Sequence, residues 1–302
     1  MTREQFEGGL LGLALGDAFA APYEGGWLER SVWLAIGTAK GGRRRWTDDT
    51  QMSLDLAASL IDRGDVDLDD ISQRFANGYR WSRGYGSGAA KVLKRIRRGV
   101  PWREASTSVY PGGSFGNGGA MRSPVIGMYF AGSPDVLEEK SKAVAMITHA
   151  HPLAQEAAYL IALATATAMT QRTANEVVSA CLPVAREPEL QRRLGIAHRW
   201  LSNRTVPDAK TIKAELGNGV AAVDSVVTAL YLAAAGADGP FESVLDSAIA
   251  GCGDTDTIAA MACAIWGAAK GKGALPVDKI RKLERADEIQ ATASRLHAKS
   301  LA

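Results

Sequence analysis

The run Gly253-Asp254-Thr255-Asp256-Thr257-Ile258-Ala259-Ala260-Met261-Ala262-Cys263-Ala264-Ile265-Trp266-Gly267-Ala268-Ala269 decides the fold. From Ile258 to Ala269 the chain is apolar nearly all round. A helix with one apolar stripe rests on a surface, whereas a helix without a polar face must be enclosed on every side. This segment therefore predicts a central helix, with the acidic stretch Asp254 to Thr257 at its entry. It falls short of the roughly 20 apolar residues that a membrane span needs, as does every other run in the chain.

Working outward, the same helical periodicity recurs. Thr50 to Asp62 sets Met52, Leu56 and Leu60 on one face and stops at Gly64. Val136 to His149, Leu153 to Thr170 and Val220 to Ala235 are similar segments rich in Ala, Leu and Val. Asp278 to Lys299 is charged and amphipathic and is expected to pack across the surface. Val32 to Ile36 is the one short strand-like run. Gly132-Ser133-Pro134, His151-Pro152 and Gly239-Pro240 read as tight connections between helices. There is no Pro- or Ser-rich linker, low-complexity tract or repeat period. The expectation is an all-α fold, a single multi-helix orthogonal bundle over residues 1–302.

Bulk properties narrow the function classes. The 302 residues carry a formal charge of +2, with 46% hydrophobic and 23% charged side chains, the profile of an ordinary folded protein. So small a net charge gives no electrostatic case for a nucleic-acid or membrane partner. Cys181, Cys252 and Cys263 are odd in number and lack metal-type spacing, which fits small buried side chains in a reducing cytoplasm rather than a disulfide framework. Gly8 to Pro22 is small and apolar, but Glu4, Glu7 and Asp17 spoil a signal peptide, so it reads as a buried helix.

Two acid-rich segments stand at helix entries: Trp46-Thr47-Asp48-Asp49-Thr50 and Gly253-Asp254-Thr255-Asp256-Thr257. Helix capping accounts for an Asp or Thr at each, and negative charge in the first turn suits the helix dipole. Capping does not account for the surplus carboxylates. If the segments meet, carboxylates about 5 Å apart repel by roughly 3 kcal/mol per pair at an effective dielectric of 20. Protonation or a cation must relieve that repulsion. Carboxylate and hydroxyl oxygens are hard ligands suited to Mg²⁺, Mn²⁺ or Ca²⁺, and paired ions form a clamp that activates water and polarises substrate oxygens.

Gly112-Gly113-Ser114-Phe115-Gly116-Asn117-Gly118-Gly119 lacks the strand that a dinucleotide fingerprint requires. Its glycines still let backbone approach a ligand closely, and amides ahead of a helix at Ala120 suit an anionic diphosphate. Arg122 reads equally as a charge for that anion or as a structural partner. His151 reads as a helix-end cap. Arg43-Arg44-Arg45 lies close to the first acidic segment, within reach of a phosphate or an acidic partner. The Lys91 to Arg98 segment, with Lys94, Arg95, Arg97 and Arg98 and no interleaved aromatics, reads as a solvated helix face.

Five of these segments, in order, resemble the ADP-ribosylglycohydrolase family, which includes dinitrogenase reductase-activating glycohydrolase and the ADP-ribosyl-acceptor hydrolases. Leu15-Gly16-Asp17-Ala18 with Pro22-Tyr23-Glu24 is similar to the opening motif. Trp46 to Met52 and Gly253 to Thr257 are similar to the two metal motifs. Ser114 to Arg122 is similar to the ribose and diphosphate loop, and Thr148-His149 to the family histidine. Ala20 and Cys252 stand where the family often has glycine.

The resemblance implies an all-α fold with a binuclear site for two Mg²⁺ or Mn²⁺ at its centre. Thr47, Asp48, Asp49, Asp254, Asp256 and Thr257 would be the ligands. Glu24 would sit at the site mouth, and Glu24, Asp48 or Asp49 would exchange a proton with water or leaving group. Ser114, Phe115, Gly116, Asn117, Gly118, Gly119, Met121, Arg122 and His149 would hold ADP-ribose, with Phe115 on the adenine. The implied activity is metal-dependent release of ADP-ribose from modified protein, with arginine linkage favoured over serine, nucleic-acid and small-molecule linkages. The alternatives are a phosphoesterase on ADP-ribose derivatives, a non-catalytic ADP-ribose reader or structural protein, and an immunity factor against an ADP-ribosylating toxin.

Overall fold

The computed structural model describes residues 1–25, 30, 31, 33, 36–170, 174–251 and 253–302. Cys252 and most of the strand-like run 32–36 lie outside the described residues. Among those described, sixteen α-helices follow one another. The first eight are α1 (Arg3–Ala20), α2 (Asp48–Arg63), α3 (Leu68–Gly78), α4 (Ser87–Arg97), α5 (Trp102–Thr107), α6 (Ser123–Tyr129), α7 (Leu137–Met146) and α8 (Pro152–Thr170). After them come α9 (Ala174–Cys181), α10 (Pro188–Ser202), α11 (Ala209–Leu216), α12 (Ala222–Ala235), α13 (Phe241–Gly251), α14 (Thr255–Lys270), α15 (Val277–Lys282) and α16 (Ala286–Ser300). The one ladder among the described residues pairs Thr38–Ala39 antiparallel with Arg43–Arg44. The fold is all-α.

As its all-round apolar surface requires, α14 is enclosed: every residue from Thr255 to Ala268 is buried. It packs against α1, α8, α12 and α13. The contact with α1 explains why a helix of this chain tolerates repeated glycine. A Cβ on Gly8 would lie 2.3 Å from the Gly267 carbonyl, one on Gly12 2.3 Å from that of Cys263, and one on Gly16 2.4 Å from that of Ala259. Both helices thus present small residues at i, i+4 and i+8, and run antiparallel almost backbone to backbone. Each helical glycine sacrifices roughly 1 kcal/mol of helix propensity, and close van der Waals packing offsets it. This approach brings the C-terminal end of α1, with Asp17 and Glu24 beyond it, to the acidic start of α14.

The other ends are set locally. Thr2 and Gln5 form a capping box on α1. Gly64, at φ 81°, turns left-handed and ends α2, its N–H bonding Leu60 O at 2.8 Å. α16 buries Ile289, Ala293 and Leu296 while Ser294 and Gln290 donate to Glu7, so the charged tail does pack across the surface. The main cluster of buried apolar side chains runs from Phe6 to Leu296, and Leu13, Ala260 and Ala264 form a smaller one between α1 and α14.

Candidate active site

The two acidic helix starts meet. Thr257 Oγ1 lies 3.5 Å from Asp49 Oδ1, a contact between residues 208 positions apart. Carboxylate oxygens of Glu24, Asp254 and Asp256 all lie within 4.8 Å of one another, a spacing that suits a shared cation.

Each turn is held in place from several directions. Trp46 is fully buried beneath Arg83, whose guanidinium stacks 3.5 Å from the indole centroid and donates to Trp46 O and Glu284. Asp17, buried on α1, accepts from Thr47 N at 2.9 Å, Thr50 N at 3.1 Å and Thr50 Oγ1 at 2.5 Å. Thr47 Oγ1 accepts from Asp49 N at 3.3 Å. The second turn is tied down by Asp254 N donating to Asn218 O at 2.9 Å and by Gly25 N donating to Gly253 O at 3.2 Å. Asn117 Nδ2 donates to both Ser225 Oγ and Asp254 Oδ2, which ties the glycine loop to the second acidic turn.

The electrostatics follow from this crowding. Burial pushes Asp17 and Asp254 up to about 6 despite the hydrogen bonds that oppose it. Asp48, Asp49 and Asp256 lie well above the ordinary carboxylate range, through burial first and neighbouring carboxylates second. Asp49 Oδ2 is buried with no hydrogen-bond partner. An orphaned carboxylate oxygen among hard oxygen donors fits a divalent cation.

A pocket of about 280 Å³ opens over these acids. Of the residues expected at the site, Glu24, Asp48, Asp49, Ser114, Gly116, Asn117, Gly118, Met121, His149, Asp254, Asp256 and Thr257 line it. Thr47 sits beneath as the cap of α2. Gly119 is buried against Ala145. Phe115 is 57% exposed, edge-on to His151 at 6.0 Å, so it stands outside the pocket proper with a free face.

Arg122 is placed behind the loop and not in the pocket. Its guanidinium is fully buried, donates to the carbonyls of Gly118, Val144 and Ala145 and to Thr148 Oγ1, and stacks on Phe75. Its charge braces the loop from below. The helix expected at Ala120 also differs: Asn117–Gly119 forms a 3₁₀ turn, and a seven-residue helix begins only at Ser123. The Gly116 and Asn117 amides are already taken by Ser114 Oγ and Val220 O, so the diphosphate cradle is narrower than the sequence suggests.

His149 is buried beneath the loop. A Cβ at Gly118 would lie 2.5 Å from its Cε1, which is why glycine stands there. Thr148 Oγ1 bonds its Nδ1 at 2.8 Å. Burial, reinforced by Arg122, lowers its pKa to about 3, so the ring is neutral.

Sequence reasoning assigned no role to Asp17, although it quoted the residue, and it passed over the opposite wall. That wall is Gly84, Gly86, Ser87, Gly88 and Ala89, with Tyr110. Alternating glycines at 84, 86 and 88 were the available signal.

A helical fold that gathers carboxylates from two helix starts beneath a glycine-rich loop has a donor set suited to a divalent cation and a pocket above it. The chain belongs to the ADP-ribosylglycohydrolase family, whose sequence profile matches residues 1–301. It is 32% identical to "ADP-ribosylhydrolase ARH3" of Danio rerio, over 98% of this chain and 91% of that protein. It is 29% identical to the "ADP-ribosyl-[dinitrogen reductase] glycohydrolase" of Rhodospirillum rubrum, over 92% and 89%. Among solved structures, an "ADP-ribosylglycohydrolase-related protein complex" matches with a TM-score of 0.75 and 28% identity, over 99% of this chain and 98% of that one.

Proposed function

We propose that this protein is a divalent-cation-dependent hydrolase that releases ADP-ribose from an ADP-ribosylated protein, with the arginine linkage favoured. The observation that carries the reading is the convergence of Asp48, Asp49, Asp254, Asp256 and Thr257 with Glu24 in one pocket under the glycine loop. The reading takes residues 1–302 as one functional unit.

In this reading Thr47, Asp48, Asp49, Asp254, Asp256 and Thr257 hold two Mg²⁺ or Mn²⁺. Such ions supply Lewis acidity toward ribose hydroxyls and water. The protein's own groups do the rest. Glu24, half-buried at the mouth and close to Asp254 and Asp256, takes a proton from water or gives one to the leaving group, with Asp48 or Asp49 as its counterpart. C1″ of the distal ribose loses its substituent through an oxocarbenium-like transition state. Neutral His149, Ser114, Gly116, Asn117, Gly118 and Met121 orient the ADP portion. Phe115 offers its exposed face to the adenine. Binding energy far from the reacting bond is thereby used for positioning.

The test is a panel of ADP-ribosylated arginine, serine and DNA ends, with and without Mg²⁺ or Mn²⁺, read by mass spectrometry. Intact ADP-ribose, released only with the cation and fastest from arginine, is expected. Undiminished release in EDTA refutes the cation requirement. AMP or phosphate as product reassigns the site to a phosphoesterase.

A further inference from the structure

A second cavity adjoins the first. Ser87, Gly88 and Ala89, at the start of α4, line the active-site pocket. One turn further along the same helix, Lys91, Lys94, Arg95 and Arg98 line a separate cleft of about 390 Å³, closed by Ser108 and Val109. The wall then runs straight into Tyr110, whose ring packs on Gly88 and lines the active-site pocket. The two cavities thus share one helix and one loop.

Lys91, Lys94 and Arg95 stand at i, i+3 and i+4 on one face of α4, and Arg98, its C-cap residue, follows at i+7, while Ala90, Val92, Leu93 and Ile96 bury the other face. All four are exposed. Some cations elsewhere are paired: Arg63 and Arg74 with Asp70, Arg83 with Glu284, Arg193 with Glu189. None of Lys91, Lys94, Arg95 and Arg98 has an ion-pair partner among the described residues. Like charges four apart on a helix repel by a few tenths of a kcal/mol, and the fold leaves that repulsion unrelieved in a concave site.

Position gives the charges a use. At 1.5 Å rise per residue they begin about 6 Å beyond Ser87 and end about 16 Å beyond it. Glu24 is half-buried at the pocket mouth, while Asp49, Asp254 and Asp256 are buried behind it. A row of cations just outside that mouth sets a positive local field, felt within a Debye length of about 8 Å at physiological ionic strength, and draws an anionic chain toward it.

We propose that this cleft docks an acidic polypeptide segment flanking the ADP-ribosylated residue of the acceptor protein. The proposal rests on the hydrolase reading of the adjoining pocket and names the acceptor surface it selects. A polypeptide is favoured over single-stranded nucleic acid because none of the residues lining the cleft carries a ring on which bases stack, and the exposed Tyr110 ring beyond it packs on Gly88 at the active-site pocket. Tyr79, 5.4 Å from Lys94 Nζ, is buried.

The experiment uses the full-length protein with Mg²⁺ and two ADP-ribosyl-arginine peptides, one flanked on both sides by four glutamates and one by four glutamines. At low salt the acidic peptide is expected to show about tenfold higher kcat/KM, carried by KM, and to lose the advantage at 0.5 M NaCl. Lys94→Glu/Arg98→Glu is expected to abolish the preference without changing turnover of the glutamine peptide. Lys94→Arg is expected to retain it. Equal kcat/KM for the two peptides in the unmodified protein overturns the proposal, as does an equal loss on both in the double variant. Stronger competition by an oligonucleotide than by a glutamate peptide of the same charge overturns it in favour of nucleic acid. If neither peptide is cleaved, the arginine linkage fails by itself. Fluorescence anisotropy of the two peptides on the unmodified protein and the double variant then decides the docking alone.

Discussion

Thr47-Asp48-Asp49-Thr50 and Asp254-Thr255-Asp256-Thr257 begin two helices with nearly the same chemistry, yet the two turns are satisfied in different ways. At the start of α2, capping is done by Thr47 from within and by Asp17 from another helix. Asp48 and Asp49 are surplus to it, and Asp49 keeps an oxygen without a partner. At the start of α14, Asp254 occupies the cap position without making a side-chain cap bond, and its carboxylate is engaged by Asn117 instead. Asp256 accepts from its own helix at Thr257 N. The difference teaches that capping a helix and supplying carboxylates to the pocket are separable tasks. Where an outside carboxylate caps the helix, the helix's own acids are released for chemistry.

The largest expected effect tests whether the two turns act as one unit. Asp49→Asn and Asp256→Asn are each expected to lower ADP-ribose release by about a thousandfold or more, the scale of losing a central electrostatic group. Far-UV circular dichroism should be unchanged. Loss in one variant and near-normal turnover in the other would break the pairing of the turns.

Stability should separate the capping acid from the surplus one. Asp17→Ala strands the buried N–H groups of Thr47 and Thr50, at roughly 1–3 kcal/mol each. Urea unfolding is therefore expected to show about 3 kcal/mol of destabilisation. Asp48→Ala removes one of several mutually repelling carboxylates. In chelator it is expected to be neutral or to stabilise by about 1 kcal/mol, although it abolishes catalysis. Destabilisation by Asp48→Ala as large as that by Asp17→Ala would show that both acids merely cap.

The helical architecture was legible because its strongest signal is periodic and local. The helix expected over Ile258–Ala269 is observed as Thr255–Lys270, and that over Leu153–Thr170 as Pro152–Thr170. The convergence of the acids was legible only through the resemblance, since no local rule brings together residues 208 positions apart. The glycine stripe at 8, 12 and 16, which brings the end of α1 to the start of α14, was present in the sequence at helical spacing but read only as part of a small, apolar buried helix. Its meaning depends on a partner helix. Arg122 shows what a residue type leaves open: a cation beside a glycine loop reads equally as an anion contact or a structural partner, and the Gly118, Val144, Ala145 and Thr148 oxygens around it favour a brace.

The smallest effect is the most direct test of how the site manages its charge. Burial pushes Asp17 and Asp254 up to about 6 in the fold, from their ordinary 3.8, and burial with neighbouring carboxylates raises Asp48, Asp49 and Asp256 well above the ordinary range. A raised acid makes the cation-free fold gain stability as pH falls through its folded pKa toward its unfolded one. His149 runs the other way. Its pKa falls from 6.5 to about 3, so its contribution is present above pH 6.5 and is lost as pH drops toward 3. Cation-free protein should therefore lose stability as pH rises from about 4 to about 6, the window between the unfolded and folded values of Asp17 and Asp254, with Asp48, Asp49 and Asp256 acting in the same direction. A divalent cation competes with protons for these acids, so its benefit grows as pH rises through their folded values. At a hundredfold excess over Kd, Mg²⁺ or Mn²⁺ is expected to raise Tm by about 5 °C at pH 8, and by less than half of that at pH 5.5. Replacing both acids of the second turn, as Asp254→Asn/Asp256→Asn, should remove the cation shift at either pH. A shift of the same size at pH 5.5 and pH 8 would mean that protons and cations do not share these carboxylates, and the two helix starts would then differ only in how they are capped.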